Sequence, residues 1–257
     1  MKKNIAIILY GLTRGQAKLT SESFRKYLVE PLSESYNTQI FLQALTMDKL
    51  KVCDRQLPPL NQKMARTVVE IEDIDDWKLF NPNKSKAINQ EKFRETIDFP
   101  KYIQNHVDPY RNGYASVRNY LTALHSLKES FSLSLESSFD CYIILRLDLL
   151  FQSNTDILKS IQYLINNPDS KFLFTPGWAT HRGYNDRMAI AKFNEAKVYC
   201  NRIDDYIECS NHEHKFSHYN IHSEIILKMI LSKYGISSKW VKAYAARIRA
   251  DGSVLDS

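Results

Sequence analysis

Apolar runs and helical stripes alternate along most of this chain. NIAIILY at residues 4–10 is a short β-branched run, closed by the glycine-bounded loop GLTRG. A helical stretch over 20–35 follows, with Thr20 or Ser21 as N-cap, and TQIFLQAL at 38–45 reads as a second strand. Together these predict one βαβ unit. From Gly113 the pattern resumes: Val117, Leu121, Leu124 and Leu127 recur at helical spacing and predict a helix ending near Ser130. FDCYIILRLDLLF at 139–151 reads as a single buried strand. Ile157, Leu158, Ile161, Leu164 and Ile165 form a helical stripe capped at Ser153 or Asn154, and KFLFTPG is a further strand. GYNDRMAIAKFNEAKVYCNRIDDYIEC predicts a glycine loop continuing into a long helix. NIHSEIILKMILSKYG predicts an amphipathic helix stopped by Gly235, and SSKWVKAYAARIRADG a strand with a charged tail. The alternation predicts a three-layer α/β fold with a mostly parallel sheet, in one domain over 1–257.

Residues 50–112 break the pattern. Pro58-Pro59, the acidic run EIEDIDDW and the polar NPNKSKAINQEK predict an irregular insertion with a short strand near TVVEIE. The acidic run is either a solvated face or a metal site.

Composition narrows the class. A hydrophobic content of 44% and a charged content of 25% are ordinary for a globular chain and exclude global disorder. The 15 Tyr and 12 Phe either fill the core or line a groove that stacks sugar rings or bases. The net charge of +6 attracts anions: nucleic acid, an anionic membrane surface or phosphorylated small molecules. No run of five or six Lys/Arg occurs, so a nucleic-acid tail is not indicated. The absence of G-x-G-x-x-G after the first strand disfavours a dinucleotide dehydrogenase. The four cysteines form no C-x-x-C pair and fit a reducing cytosol, with Cys141 an inert buried thiol. IAIILY is too short for a signal peptide or a membrane span. The expectation is a soluble cytoplasmic protein touching a membrane surface, at most, through basic residues.

In open α/β sheets ligands bind beyond the carboxyl ends of the strands. Charged groups gather there in this sequence: Gly11, Thr13 and Arg14 after the first strand, Arg146 and Asp148 at the end of the 139–151 run, GWATHRGYNDR after KFLFTPG, and Arg247, Arg249 and Asp251 near the C-terminus. Arginines in such a cluster suit a diphosphate through bidentate charge-assisted bonds. A carboxylate among them makes sense if it holds a divalent cation bridging to phosphate, or a ribose hydroxyl. That combination is what a nucleotide-sugar site needs.

With those pieces in place the chain resembles a GT-A glycosyltransferase of the type found in capsule, lipopolysaccharide and viral glycan synthesis. IAIILYGLTRG, FDCYIILRLDLLF, FLFTPGWATHRGYNDRMAIA, HSEIILKMIL and RIRADG carry the resemblance, which covers most of the chain outside 50–112. It implies a GT-A (Rossmann-like) fold and transfer of a hexosyl or pentosyl group from a UDP- or GDP-sugar to a glycan hydroxyl. A metal-binding D-x-D at the end of a central strand falls on Arg146-Leu147-Asp148, where only the second acid is present. Asp148 is then the ligand for Mn²⁺ or Mg²⁺, or for a donor hydroxyl, and Arg146 supplies positive charge or pairs with Asp148. The donor side is expected to be Gly11, Thr13, Arg14, Arg146, Asp148, Arg247 and Arg249. Asp186 matches the place of a general base at the start of a helix, and Glu224 is a second candidate. Trp178, His181, Tyr184, Arg187 and His222 are expected on the acceptor side, although Trp178 reads equally as a plug at the edge of the core. His214, His218 and His222 share a spacing of four, as zinc ligands on a helix do, but the intervening Asn, Ser and Tyr favour a loop. The alternative to an enzyme is a non-catalytic nucleotide- or glycan-binding module. No nucleic acid is expected as a partner.

Overall fold

In the computed structural model the described residues are 2–51, 68–103, 108, 112–153, 156–211 and 222–255. The chain opens with β1 (Asn4–Leu12), α1 (Ala17–Phe24), a π-helical turn (Arg25–Val29), α2 (Glu30–Ser35) and β2 (Asn37–Thr46). The small strands β3 (Lys49–Lys51) and β4 (Val68–Glu70) pair with each other, and a 3-10 turn (Asp76–Phe80), β5 (Lys84–Asn89), α3 (Gln90–Glu95) and α4 (Phe99–Ile103) follow. Then come α5 (Ala115–Ser132), β6 (Cys141–Arg146), β7 (Leu149–Phe151), α6 (Ile157–Asn166), β8 (Phe172–Pro176), β9 (Met188–Ala191), α7 (Phe193–Cys200) and α8 (Tyr206–Asn211). The last elements are α9 (Ser223–Lys233), β10 (Ser237–Val241), β11 (Ala245–Ile248) and β12 (Val254–Leu255).

The central sheet has seven strands in the order β10-β8-β9-β6-β1-β2-β5. All its paired strands run parallel except β9, which is antiparallel to both neighbours. Period-two alternation splits each strand between two cores. Ile5, Ile7, Leu9, Ile143 and Leu145 face α1, the π turn, α2 and α6 through Phe24, Leu28, Leu32, Ile161 and Leu164. Ala6, Ile8, Tyr142 and Ile144 face α5, α7 and α9 through Leu127, Phe131, Tyr199, Leu227 and Leu231. Strands with both faces covered need continuous apolar runs, which is why NIAIILY and CYIILR lack polar alternation. The three-layer, mostly parallel α/β fold expected from the sequence is the observed one. Buried hydroxyls on α5 tie it to the sheet: Ser130 Oγ donates to the Leu9 carbonyl at 2.7 Å and Ser126 Oγ to the Gln43 carbonyl at 3.2 Å.

Several elements differ from their expected form. The first helix starts at Ala17, not Thr20: the Thr20 and Ser21 hydroxyls bond back to the Gln16 and Lys18 carbonyls inside the helix rather than capping it. Pro31 accounts for the π turn just before it. A proline ring cannot donate to the preceding turn, and the Glu30 amide reaches the Arg25 carbonyl across the wider loop. Part of the 50–112 segment belongs to the sheet, because β5 pairs with β2 at the edge. The 139–151 run breaks after Arg146: Leu147 and Asp148 turn the chain out of the large sheet, and β7 joins a separate three-stranded sheet, β12-β11-β7. The C-terminal stretch likewise divides into β10 and β11, in different sheets. The long helix predicted from residue 183 is instead a turn, the antiparallel β9 and the shorter α7 and α8. Cys141, Cys200 and Cys209 are buried free thiols, and burial pushes Cys141 up to about 12. Among the described residues no helix is long and apolar enough to cross a membrane.

Candidate active site

The topology brings five chain segments to one end of the sheet. β1 and β6 pair in register Tyr10↔Arg146, so the loop carrying Gly11 and Arg14 lies beside Arg146 and Asp148. β11 pairs with β7 in register Arg247↔Leu149, and the Ile248 amide donates to the Asp148 carbonyl at 3.1 Å, which sets Arg247 next to Asp148. Because β9 is antiparallel, it begins where the parallel strands end: Met188 is opposite Leu145, and the Arg146 amide donates to the Arg187 carbonyl at 3.1 Å. This delivers Asp186 and Arg187. The Tyr184 amide donates to the Glu224 carbonyl at 3.0 Å and draws the start of α9 into the same place.

Together with β3, α3, α5 and the turn after α7, these segments wall a cavity of about 760 Å³, lined by nine cationic side chains and four carboxylates. Arg14 Nε and Arg146 Nη2 both donate to Asp148 Oδ2, at 3.0 and 2.6 Å. Asp148 is 1% exposed and its Oδ1 has no partner. Burial would raise this carboxyl, but Arg146, Arg14 and Arg247 outweigh it and hold it at about 2. Burial and then the neighbouring Arg146 guanidinium push Arg247 down to about 9, with Arg187 and Arg249 adding to the repulsion. It remains protonated at neutral pH, a half-buried cation among cations.

Next to Arg187, Asp186 is buried with Oδ1 unpartnered, while its carbonyl accepts from the Tyr10 hydroxyl at 3.1 Å and Arg202 Nη2 at 3.2 Å. Glu224, also buried, accepts from Ser223 Oγ at 2.5 Å and lies 3.0 Å from His222 Nδ1 and 3.5 Å from Arg187 Nη2. Burial would raise its carboxyl, but these neighbours hold it well below the ordinary range. Arg187 is 9% exposed, with Nε and Nη1 unpartnered.

Of the residues expected at the site, the cavity brings together Gly11, Arg14, Arg146, Asp148, His181, Asp186, Arg187, His222, Glu224, Arg247 and Arg249. Thr13, Trp178 and Tyr184 do not line it. Thr13 is buried and donates to Asp76 Oδ1 at 2.7 Å, tying the first loop to the acidic run. Trp178 donates from Nε1 to the Ala243 carbonyl at 2.7 Å and packs on the core, the plug alternative. Tyr184 packs against the second core. Asp186 is not in a first helical turn, as expected, but in the turn entering β9. His214 and His218 lie outside the described residues.

The loop before Asp186 is held under strain. Ala179, His181 and Arg182 take positive φ values of 47°, 41° and 70°, which L-residues rarely adopt. A Cβ on Gly183 would sit 1.9 Å from the Glu224 carbonyl oxygen, so only glycine lets the loop lie on α9. Strain of this kind persists where surrounding structure over-determines it and is concentrated at functional sites.

Sequence reasoning missed Tyr10, Tyr120 and Arg202, which line the cavity floor. Arg202 is 1% exposed, stacks 4.2 Å over the Tyr199 ring and donates to the Tyr199 carbonyl at 2.8 Å. Nothing in its local sequence, CNRIDD, sets this arginine apart from a solvated one.

A divalent cation at Asp148 does not fit these residues. Mg²⁺ and Mn²⁺ need several oxygen ligands, whereas one Asp148 oxygen is shared by two guanidiniums. Among the described residues no group of three or more His, Cys, Asp or Glu could hold a metal.

No protein-family model matches the chain, and no curated protein matches it in sequence. Solved structures similar to it include mouse xyloside xylosyltransferase 1 in its apo form, at 9% identity and a TM-score of 0.44, covering 93% of this chain and 84% of that one. The galactosyltransferase LgtC in complex with donor and acceptor sugar analogs is 10% identical, TM-score 0.41, over 91% of this chain and 72% of that one. A nucleotide-diphospho-sugar transferase from Desulfovibrio desulfuricans G20, named so in its description, is 7% identical, TM-score 0.40, over 93% and 81%. Likeness at this level assigns no role to any residue of this chain.

Proposed function

We propose that the protein is a GT-A-like glycosyltransferase that moves a hexosyl or pentosyl group from a UDP- or GDP-sugar to a glycan hydroxyl. One observation carries the reading: an arginine cluster around Asp148 lines the same cavity as a buried carboxylate with an unpartnered oxygen, Asp186. The cluster suits a diphosphate, whose charge compensates the repulsion at Arg247. The leaving group in such a transfer is that diphosphate. As the bond from the anomeric carbon to the diphosphate oxygen breaks, its electron pair stays on that oxygen, beside Arg14, Arg146 and Arg247. The acceptor oxygen bonds to the anomeric carbon, and its proton passes to Asp186 as general base. Glu224 is the poorer base, because Ser223, His222 and Arg187 already occupy its charge. It instead anchors Arg187 and His222 on the acceptor side. The three buried thiols suit a cytoplasmic setting, and the net charge of +6 favours contact with an anionic membrane surface.

The test is a thermal-shift screen of UDP, GDP and their sugars, followed by an assay for sugar transfer and donor hydrolysis. A nucleotide-dependent rise in melting temperature with turnover is expected. No response to any nucleotide overturns the reading, and binding without turnover would leave a non-catalytic binding module.

A further inference from the structure

We infer that this site takes the donor diphosphate without a divalent cation, the guanidiniums of Arg14, Arg146 and Arg247 supplying the charge a metal would bring. The inference rests on the proposed function and goes beyond it in naming how the diphosphate is held.

Three observations lead to it. The oxygen of Asp148 that is hydrogen-bonded is occupied twice over, by Arg14 and Arg146, and the other is buried. A metal bound there could reach only the buried Oδ1, one ligand from a carboxylate whose other oxygen already carries two guanidiniums. A cation bridging Asp148 and Asp186 would be repelled by Arg146, which bonds Asp148 at 2.6 Å and lies in the field of Asp186.

The second observation is Arg247. Among the described residues no carboxylate or carbonyl bonds its guanidinium, and its charged neighbours are Arg146, Asp148, Arg187 and Arg249, three cations against one carboxylate that Arg14 and Arg146 already hold. A half-buried cation in that company gains from a further anion. Adding a dication would deepen the imbalance, while adding a diphosphate removes it.

The third is positional. Arg146 is the last residue of β6 and Asp148 lies in the turn that leaves the sheet, so Arg14, from the adjacent β1 loop, and Arg247, from β11, close on them from two sides. Each guanidinium presents planar N–H donors suited to bidentate phosphate bonds.

The experiment is calorimetric titration of the full chain with inorganic pyrophosphate, UDP and GDP, once in EDTA and once in Mn²⁺. Binding of pyrophosphate and at least one nucleotide in EDTA is expected, with affinities within about threefold of those in Mn²⁺. Arg247→Gln should weaken that binding by about tenfold or more while leaving the melting temperature of the free protein unchanged or raised, because it removes cation–cation repulsion. Binding seen only with Mn²⁺ overturns the inference and leaves the proposed function standing. No binding under either condition overturns both. The EDTA comparison needs no variant, so it decides the matter even if Arg247→Gln does not fold.

Discussion

Arg146 donates to Asp148 at 2.6 Å across a single intervening leucine, at the point where the chain passes from one sheet to the other. Leu147, between them, is buried in the core, so both charged side chains point to the opposite, cavity side. A buried carboxylate here is tolerable only because guanidiniums meet it.

Removing that carboxyl therefore costs stability. Asp148→Asn keeps the shape and leaves Arg14 and Arg146 without their counter-charge. Breaking a fully buried pair costs about 3–5 kcal/mol, and the two arginine side chains are 24% and 20% exposed. The expected loss is roughly 2–4 kcal/mol, read from urea unfolding. A loss under half a kcal/mol would show that the pair contributes little.

Gly183→Ala should damage the fold locally. The new methyl would overlap the backbone of Glu224 and Ile225, at 1.9 and 2.5 Å, and neither is the flexible end of a side chain. The loop must leave α9, breaking the hydrogen bond from the Tyr184 amide to the Glu224 carbonyl and moving Asp186. Overpacking costs about 1–3 kcal/mol, and backbone obstruction places this substitution at the upper end. Transfer activity should fall with it. Unchanged stability and activity would mean that the loop does not need its contact with α9.

Acid stability should report on Glu224. Its carboxyl is depressed in the folded state by His222, Ser223 and Arg187 against the opposing effect of burial. A group with a lowered folded pKa stabilises fully above its unfolded value, near pH 4.3, and the contribution disappears as pH falls through the lower folded value. The stability gap between wild type and Glu224→Gln is therefore expected to be widest at neutral pH and to close below about pH 4. Unfolding free energies measured at several pH values check this. A gap independent of pH would remove the ionised carboxylate from the account.

The legible parts of this sequence are those where local pattern and tertiary role agree. α5 and α9 have apolar positions at the helical period, β1 and β8 are short apolar runs closed by a glycine-containing loop, and each ends in a recognisable loop or turn. The 139–151 run misleads because Leu147, Leu149 and Phe151 are as buried as Leu145 and belong to the same core, so hydrophobicity does not record the change of sheet. MAIA misleads because all four residues are buried, which leaves no alternation, and a helix former-rich segment follows. That miss matters most for the site, since the antiparallel direction of β9 is what carries Asp186 to the ends of the parallel strands. Arg202 and Tyr10 were invisible because their burial comes from packing between distant segments, which neither residue's sequence neighbours display.

Asp186→Asn separates binding from chemistry. The substitution keeps size and leaves the backbone carbonyl, with its bonds from Tyr10 and Arg202, in place. The proposed diphosphate contacts come from Arg14, Arg146 and Arg247 and none from the Asp186 carboxylate, so donor affinity should stay within about threefold of wild type. Transfer should fall by about 10²–10⁴-fold, the usual contribution of a positioned general base. Binding measured by calorimetry and transfer measured on the same preparations give the split directly. Full activity in the variant would remove Asp186 from the chemistry. Loss of donor binding would instead place Asp186 on the donor side of the cavity, holding a sugar or ribose hydroxyl with the oxygen that now lacks a partner.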